Sequence, residues 1–346
     1  MLDVMLGIKV KKPYAERVRK YLIKHTLIDN NYMIHSINQF IYFPVRNMNE
    51  DNIHKLKKNF GASIENRNFE VIAKDNYREL LKKALGKKYD EAPKGYECVG
   101  NIAIIKSDKN IAKSISASIM KINKNITTVI RKSSAVKGRY RKRAYEYVAG
   151  KRTYVTEYRE NGAVLVFDIR DTFFSSKLSF ERSRIAALSK NTENVMVMFA
   201  GVGPFAIELA LKNREAKVVA IEINRKAVKY MKENIKRNKT LNVVPIQGDV
   251  NKVGMHYKRF ADRIIMPLPK DSGSFLEAVV KIAKEKCIVH YYSFVAIDNG
   301  AERLEKMLKE FFNKKGFMFK KLMSRTVRPY SPETFEIVID FEIIRK

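Results

Sequence analysis

Met198-Phe199-Ala200-Gly201-Val202-Gly203-Pro204-Phe205 decides the fold, because of what flanks it. A β-rich apolar run, Asn194 to Phe199, leads into it, and an apolar helical pattern, Ala206 to Asn213, leads out. A glycine turn between a strand and a helix lets a ligand lie against bare backbone and the helix N-terminus. The next apolar run ends at Glu222-Ile223, where a carboxylate can accept both hydroxyls of a ribose. The run after that ends near Asp249-Val250, with an acid placed to accept from an adenine amino group. Phe199, Gly201 and Gly203 are the loop residues expected against such a nucleoside.

Working outward, buried-strand runs alternate with amphipathic helices from about residue 163: Ala163–Ile169, Asn194–Phe199, Lys217–Ile223, Asn242–Ile246, Asp262–Met266 and Lys286–Tyr292. That alternation predicts a parallel α/β sheet. Thr334 to Ile343 alternates in polarity and is expected to pair antiparallel at the far end of the sheet. Upstream, residues 1–66 carry a β-α-β-β-α-β pattern. Its first helix has Val18, Leu22 and Ile23 on one face, and its second is capped by Asn49 and stopped by Gly61. Residues 67–162 are expected to hold a connector helix, capped by Asp75 and ended near Gly86. A second small unit follows, with a helix capped by Asp108 and bearing Ile111, Ile115, Ile119 and Ile122. The expected domains are therefore 1–66, 67–162 and 163–346.

Charge narrows the partner. Among 346 residues, 68 Lys or Arg oppose 37 Asp or Glu, a formal net charge of +31. A small-molecule enzyme has no need of that excess, and a polyanion is the natural partner. Residues 131–152 hold nine Lys or Arg against the single acid Glu146, so RNA phosphate contact is expected there, at Arg131, Lys132, Lys137, Arg139 and Arg143. Cys98 and Cys287 are too few and too far apart for a disulfide framework or a metal cluster. The longest apolar stretch is broken by two Gly, a Pro and a Glu, and the N-terminus does not read as a signal peptide, so a cytoplasmic protein without membrane partners is expected.

The loop admits three readings. Gly201-Val202-Gly203-Pro204-Phe205-Ala206 also satisfies the dinucleotide fingerprint with Ala in its last position. A structural turn without ligand is the second alternative. The second acid at Asp249, the basic region upstream and the final strand favour S-adenosyl-L-methionine.

At these residues the chain resembles the archaeal tRNA (guanine-37-N1)-methyltransferases, including members that methylate 4-demethylwyosine. Further matches are Ser134-Ala135-Val136-Lys137-Gly138 with Arg141 and Arg143, then Phe174-Ser175 leading to Glu181-Arg182. Val289-His290-Tyr291-Tyr292 and Arg328-Pro329-Tyr330-Ser331-Pro332 complete the set. The resemblance implies a class I Rossmann-like methyltransferase domain preceded by two small α+β domains. It implies a monomer that reads the outer corner of tRNA with its N-terminal module and grips the anticodon arm with the rest. By the same resemblance Glu181 is the general base and Arg141 the residue at guanine O6. Glu222-Ile223, Asp249-Val250 and Pro267 then lie at the cofactor, with Arg182 nearby. The residue chemistry agrees: guanine N1 carries a proton that a carboxylate can take, and the charge that spreads to O6 suits a guanidinium. Phe173, Phe174 and Tyr140 are candidates for stacking on the extruded base. His290 is expected to be a core or rim residue.

Two positions depart from the family pattern. Val195-Met196-Val197-Met198 lacks the acid usual near the end of that strand, and Met266-Pro267-Leu268-Pro269 has Pro267 where the family carries Asn. Proline offers neither a polar side chain nor an N–H. Methylation of the ring carbon of 4-demethylwyosine, alone or beside N1 methylation, is the expectation that follows. The rival expectation is a tRNA-binding protein with a degenerate methyltransferase domain.

Overall fold

Asn49 and Gly61 bracket a helix as their chemistry dictates. The Asn49 side chain accepts the Asn52 amide at 2.9 Å, and Gly61 takes the left-handed conformation that ends it. This helix, α2 (Glu50–Phe60), belongs to the first of two compact units, Met1–Lys83 and Ala84–Lys346, in the computed structural model, which describes residues 2–71, 77–133, 144–331 and 333–346. The first unit also contains β1 (Leu2–Lys11), α1 (Ala15–Lys24), β2 (His35–Ile37), β3 (Phe40–Pro44) and β4 (Ser63–Glu70). Its antiparallel sheet runs β2-β3-β1-β4, with Ile8, Val10, Val18, Leu22, Phe43 and Leu56 in the core. Two details differ from expectation. Ile23 is half exposed, because the 3.6-residue period turns it away from the Val18–Leu22 stripe. The β4 ladder continues past residue 66 to pair Glu70 with Leu2.

The helix α3 (Tyr77–Leu85) ends at Gly86, whose φ is +53°, whereas its expected cap Asp75 lies outside the described residues. Next comes a four-stranded sheet of β5 (Glu97–Val99), β6 (Ile102–Ile105), β7 (Thr128–Lys132) and β8 (Tyr145–Gly150), in that order. The helix α4 (Lys109–Ile122) makes the crossover between the parallel pair β6 and β7. Asp108 stands at its N-cap position without a side-chain bond, and Ile122 at its last turn is partly exposed, unlike Ile111, Ile115 and Ile119.

A hairpin, β9 (Val155–Glu160) and β10 (Ala163–Asp168), corrects the expectation that residues 163–169 join the parallel sheet. Asn161 and Gly162 both have positive φ, the two-residue turn that folds β10 straight back onto β9. Asparagine side chains satisfy the other edge of β10: Asn238 Oδ1 accepts the Val164 amide, and Asn234 Oδ1 accepts the Val166 amide, both at 2.8 Å.

The main sheet has seven strands. It alternates β11 (Asn194–Met198), α5 having preceded it (Ser179–Leu188), with α6 (Pro204–Lys212), β12 (Lys217–Glu222), α7 (Arg225–Arg237), β13 (Val243–Gln247) and the short α8 (Val250–Val253). Then follow β14 (Ala261–Met266), α9 (Leu276–Ile282), β15 (Ala283–Ala296), α10 (Gly300–Lys314), β16 (Phe317–Ser331) and β17 (Thr334–Arg345). The order is β13-β12-β11-β14-β15-β17-β16, parallel except at the last two strands. The final strand is thus not at the far end as expected. It inserts between β15 and β16, because both its faces are buried. Ile337, Ile339, Phe341 and Ile343 pack into one core, while the buried acids Glu336 and Asp340 meet arginines on the other face. Strand order reverses between β11 and β14, which opens a crevice at the carboxyl ends of the parallel strands.

Candidate active site

That crevice is a cavity of about 510 Å³, the size of a small-ligand pocket. Its wall begins in the glycine turn after β11. Gly201 and Gly203 have φ of +58° and +93°, and a Cβ on Gly203 would press on Met231 and Ile207 at 3.0 and 3.1 Å. Phe199 holds φ +55° without being glycine, a strain of the kind that persists at functional sites. Its ring packs edge-on against Phe275, 4.6 Å between centroids, and both rings line the cavity.

Glu222 ends β12 at the cavity wall. Its Oε2 accepts the Gly201 amide at 2.9 Å and its Oε1 accepts the Asn224 amide at 2.7 Å, so the carboxylate ties the glycine turn to the neighbouring strand. Burial pushes its carboxyl above the usual range, and these backbone N–H groups oppose that shift. The lone-pair positions that these amides leave are available to a ligand's hydroxyls. Ile223 lies beside it, and Asp249 and Val250 follow β13 on the same wall. Asp249 caps α8 by accepting the Asn251 amide at 3.0 Å. Pro267 lines the opposite side, directly after β14. The chemistry fits an adenosine-bearing cofactor: an apolar wall of Phe199, Ile221 and Phe275, with acids at the ends of two adjacent strands.

Glu181 lies apart from this cavity lining, on α5. It is not a solvated helix-end acid. It is 1% exposed and held by three side chains: Arg184 Nη2 (2.8 Å) and the Tyr292 hydroxyl (2.8 Å) donate to Oε2, and Arg325 Nη1 (2.7 Å) donates to Oε1. Ser179, whose side chain suits an N-cap, is instead the first helical residue, and no side chain caps the helix. Burial, and then the Glu181 charge, push the Tyr292 hydroxyl well above its ordinary pKa, which keeps it a donor. Arg184 also grips Asp340. Asp340 in turn meets His290 Nδ1 at 2.7 Å, and His290 Nε2 faces Arg263 Nη1 at 2.7 Å. A guanidinium only donates, so Nε2 accepts and Nδ1–H donates to Asp340, and the imidazole is neutral. Burial lowers its pKa in agreement. His290 is a core residue.

Arg182 also stays out of the cavity. It is 2% exposed, with Nη2 on Glu160 at 2.7 Å, Nε on Glu208 at 3.1 Å and Nη1 on the Ser175 carbonyl at 3.1 Å. Its geometry is that of a clamp between the hairpin and α6. Burial, with Glu160 alongside, pushes the Glu208 carboxyl up to about 8. Phe174 packs against Phe167, Tyr158 and Arg182 inside the core, whereas Phe173 reaches the cavity wall and is 38% exposed.

In the basic region, Arg131 is paired with Glu146 (2.8 Å) and Lys132 with Glu97 (2.8 Å), so both heads are engaged within the domain. Lys137, Arg139, Tyr140, Arg141 and Arg143 lie outside the described residues. Sequence reasoning missed Arg184, Arg325 and Asp340, which no local pattern marks. Tyr292 stood in a quoted motif without a role. Among the described residues no helix is long and apolar enough to cross a membrane.

Comparison with known proteins places the same architecture. A model described as the TRM5/TYW2 methyltransferase domain matches residues 156–317, a tRNA methyltransferase 5 N-terminal domain matches residues 7–53, and a TYW2 N-terminal domain matches residues 77–153. The tRNA (guanine(37)-N(1))-methyltransferase Trm5b of Pyrococcus abyssi is 36% identical over 350 residues, 98% of this chain and 99% of that protein. Its crystal structure superposes with a TM-score of 0.72 at 34% identity, over 98% of this chain and 99% of that one. The tRNA 4-demethylwyosine(37)-methyltransferase Taw21 of Saccharolobus solfataricus is 32% identical over 254 residues, 72% of this chain and 94% of that protein. TYW2 of M. jannaschii, solved in complex with AdoMet, has a TM-score of 0.59 at 28% identity, over 73% of this chain and 100% of that one.

Proposed function

The chain belongs to the TRM5/TYW2 methyltransferase family, and from that premise we propose that it methylates the base at position 37 of tRNA with S-adenosyl-L-methionine. The observation that carries this reading is the cavity at the strand-order reversal, with Glu222 anchored to the glycine turn at Gly201.

The bound cofactor supplies an electrophilic methyl carbon on a sulfonium. Glu222 would accept its ribose hydroxyls and Asp249 its adenine amino group, with Phe199, Gly201, Gly203, Ile223, Val250 and Pro267 around the nucleoside. Arg182 serves this site at a distance, by fixing α5. Glu181 would take the proton of guanine N1, and Arg141 would meet the negative charge developing on O6. Phe173, exposed on the cavity wall, would stack on an extruded base. Residues 1–66 would read the outer corner of the tRNA and residues 67–162, with the methyltransferase domain 163–346, the anticodon arm. The protein would act as a monomer.

A second target is favoured by Pro267. A missing hydrogen-bond partner facing a buried guanine costs about 1–3 kcal/mol, and a carbon nucleophile in an electron-rich tricycle has less need of an amide there. Methylation of C7 of 4-demethylwyosine therefore accompanies or replaces N1 methylation. Transfer from labelled S-adenosylmethionine to tRNA transcripts tests the assignment: label should enter a G37 transcript or a demethylwyosine-bearing tRNA and be lost on an A37 transcript. Equal labelling of the A37 transcript would exclude position 37.

A further inference from the structure

The donors around Glu181 are not equivalent. Those on Oε2 are locked. Tyr292 is fully buried, and the Arg184 side chain is 14% exposed and fixed from behind by Asp340, His290, Arg263 and Glu193 in series. Arg263 is itself held by both Glu193 oxygens, at 2.7 and 2.9 Å, and by the Leu188 carbonyl at 2.9 Å. Oε1 is different. Its donor Arg325 projects from the edge strand β16 with a side chain 34% exposed. The Arg325 guanidinium also lies 4.6 Å from the ring of Phe180, a residue 63% exposed. An aromatic face within 6 Å attracts a cation, so this contact, made alongside the bond to Glu181, can hold the guanidinium once that bond is given up.

This bears on the role assigned to Glu181, on which the inference rests. Oε2 already accepts from two side chains, so the proton goes to Oε1, where the adjacent Arg325 cation opposes protonation until it leaves. We propose that Arg325 is a displaceable positioning residue: it occupies Oε1 of Glu181 in the free enzyme and gives up that oxygen to the N–H of the target base, resting then on Phe180. The N1–H bond breaks with its proton passing to Oε1 and its electron pair remaining on N1; that pair would bond the methyl carbon as the carbon–sulfur bond breaks, its electrons leaving with the thioether sulfur. Arg184 and Tyr292 keep Oε2 and so hold the carboxylate's orientation throughout. The charged and titratable groups that face this carboxylate are Arg184, Arg325 and Tyr292, with Asp340 and His290 behind Arg184.

Single-turnover methylation across pH, at limiting and at saturating tRNA, reads the two states separately. A cation beside a carboxylate favours its charged form, and its departure weakens that preference. In the wild type, the acidic limb at limiting tRNA should therefore lie below the limb at saturating tRNA. Arg325→Gln should bring the two limbs together, and Arg325→Lys, which keeps the charge, should leave them apart. Coincident limbs in the wild type, or limbs still apart in Arg325→Gln, would overturn the displacement. Glu181→Gln separates this from the premise: if that variant keeps the wild-type rate, the base assignment itself has failed.

Discussion

The Glu222 carboxylate accepts the amide hydrogen of Gly201 across 2.9 Å, joining the end of one strand to the ligand-facing turn of the next. One side chain thus shapes the turn and supplies acceptors to the cavity. Glu222→Ala removes both contributions. A hydrogen bond to a charged group is worth about 1.5–3 kcal/mol, so S-adenosylmethionine affinity should fall by about 10- to 200-fold by calorimetry. Unchanged affinity would remove Glu222 from the cofactor site.

Glu181→Gln keeps the size of the side chain and abolishes its capacity to take a proton. Rates of N1 transfer should drop by about 10²–10⁴, while tRNA binding, measured by filter retention, stays close to wild type. The clamp Arg184–Asp340 should be needed for a different reason. Asp340→Asn removes one of the two carboxylates that hold Arg184, Glu181 being the other, and a cost of about 1.5–3 kcal/mol in unfolding free energy is expected. Denaturant titration measures it.

Glu208 gives a pH dependence whose sign can be worked out. Its carboxyl is raised to about 8 in the folded chain and titrates near 4.5 when unfolded. Between those values the folded state holds a proton that the unfolded state has released, so stability falls as pH rises through this window. Glu208→Gln should flatten the decline and raise the melting temperature near pH 8 relative to wild type. A variant with an unaltered pH slope would show that Glu208 is ionised in the folded protein.

Pro267→Asn tests the target atom. An amide restored at this point of the cavity wall should raise N1 methylation of unmodified G37 relative to methylation of the demethylwyosine tricycle, by about tenfold if one hydrogen bond to the base is regained. The ratio of the two products in a competition assay is the readout. An unchanged ratio would detach Pro267 from target choice.

The glycine turn, Glu222 and Asp249 were legible in the sequence because each sits at the end of a strand, where local pattern and chemistry coincide. Residues 163–168 were misplaced for an equally local reason. Their composition suits a buried parallel strand, but the positive φ of both Asn161 and Gly162 commits them to a hairpin. The alternation of residues 334–343 was real, yet its polar positions face Arg184 and Arg328 instead of water, so a strand expected at the rim lies inside the sheet. The surroundings of Glu181 were the least accessible. Arg325 and Tyr292 reach it from 144 and 111 residues away, and side-chain pairing over such separations leaves no periodic trace.

Mass spectrometry of nucleosides from tRNA methylated in vitro tests the central claim most directly. Unmodified and demethylwyosine-containing tRNA(Phe), each incubated with the enzyme and labelled S-adenosylmethionine, should yield labelled methyl at position 37, on guanine N1 of the first, on C7 of the tricycle of the second, or in both tRNAs. Label at any other nucleotide, or none in either tRNA while the protein still binds the cofactor, would contradict the account.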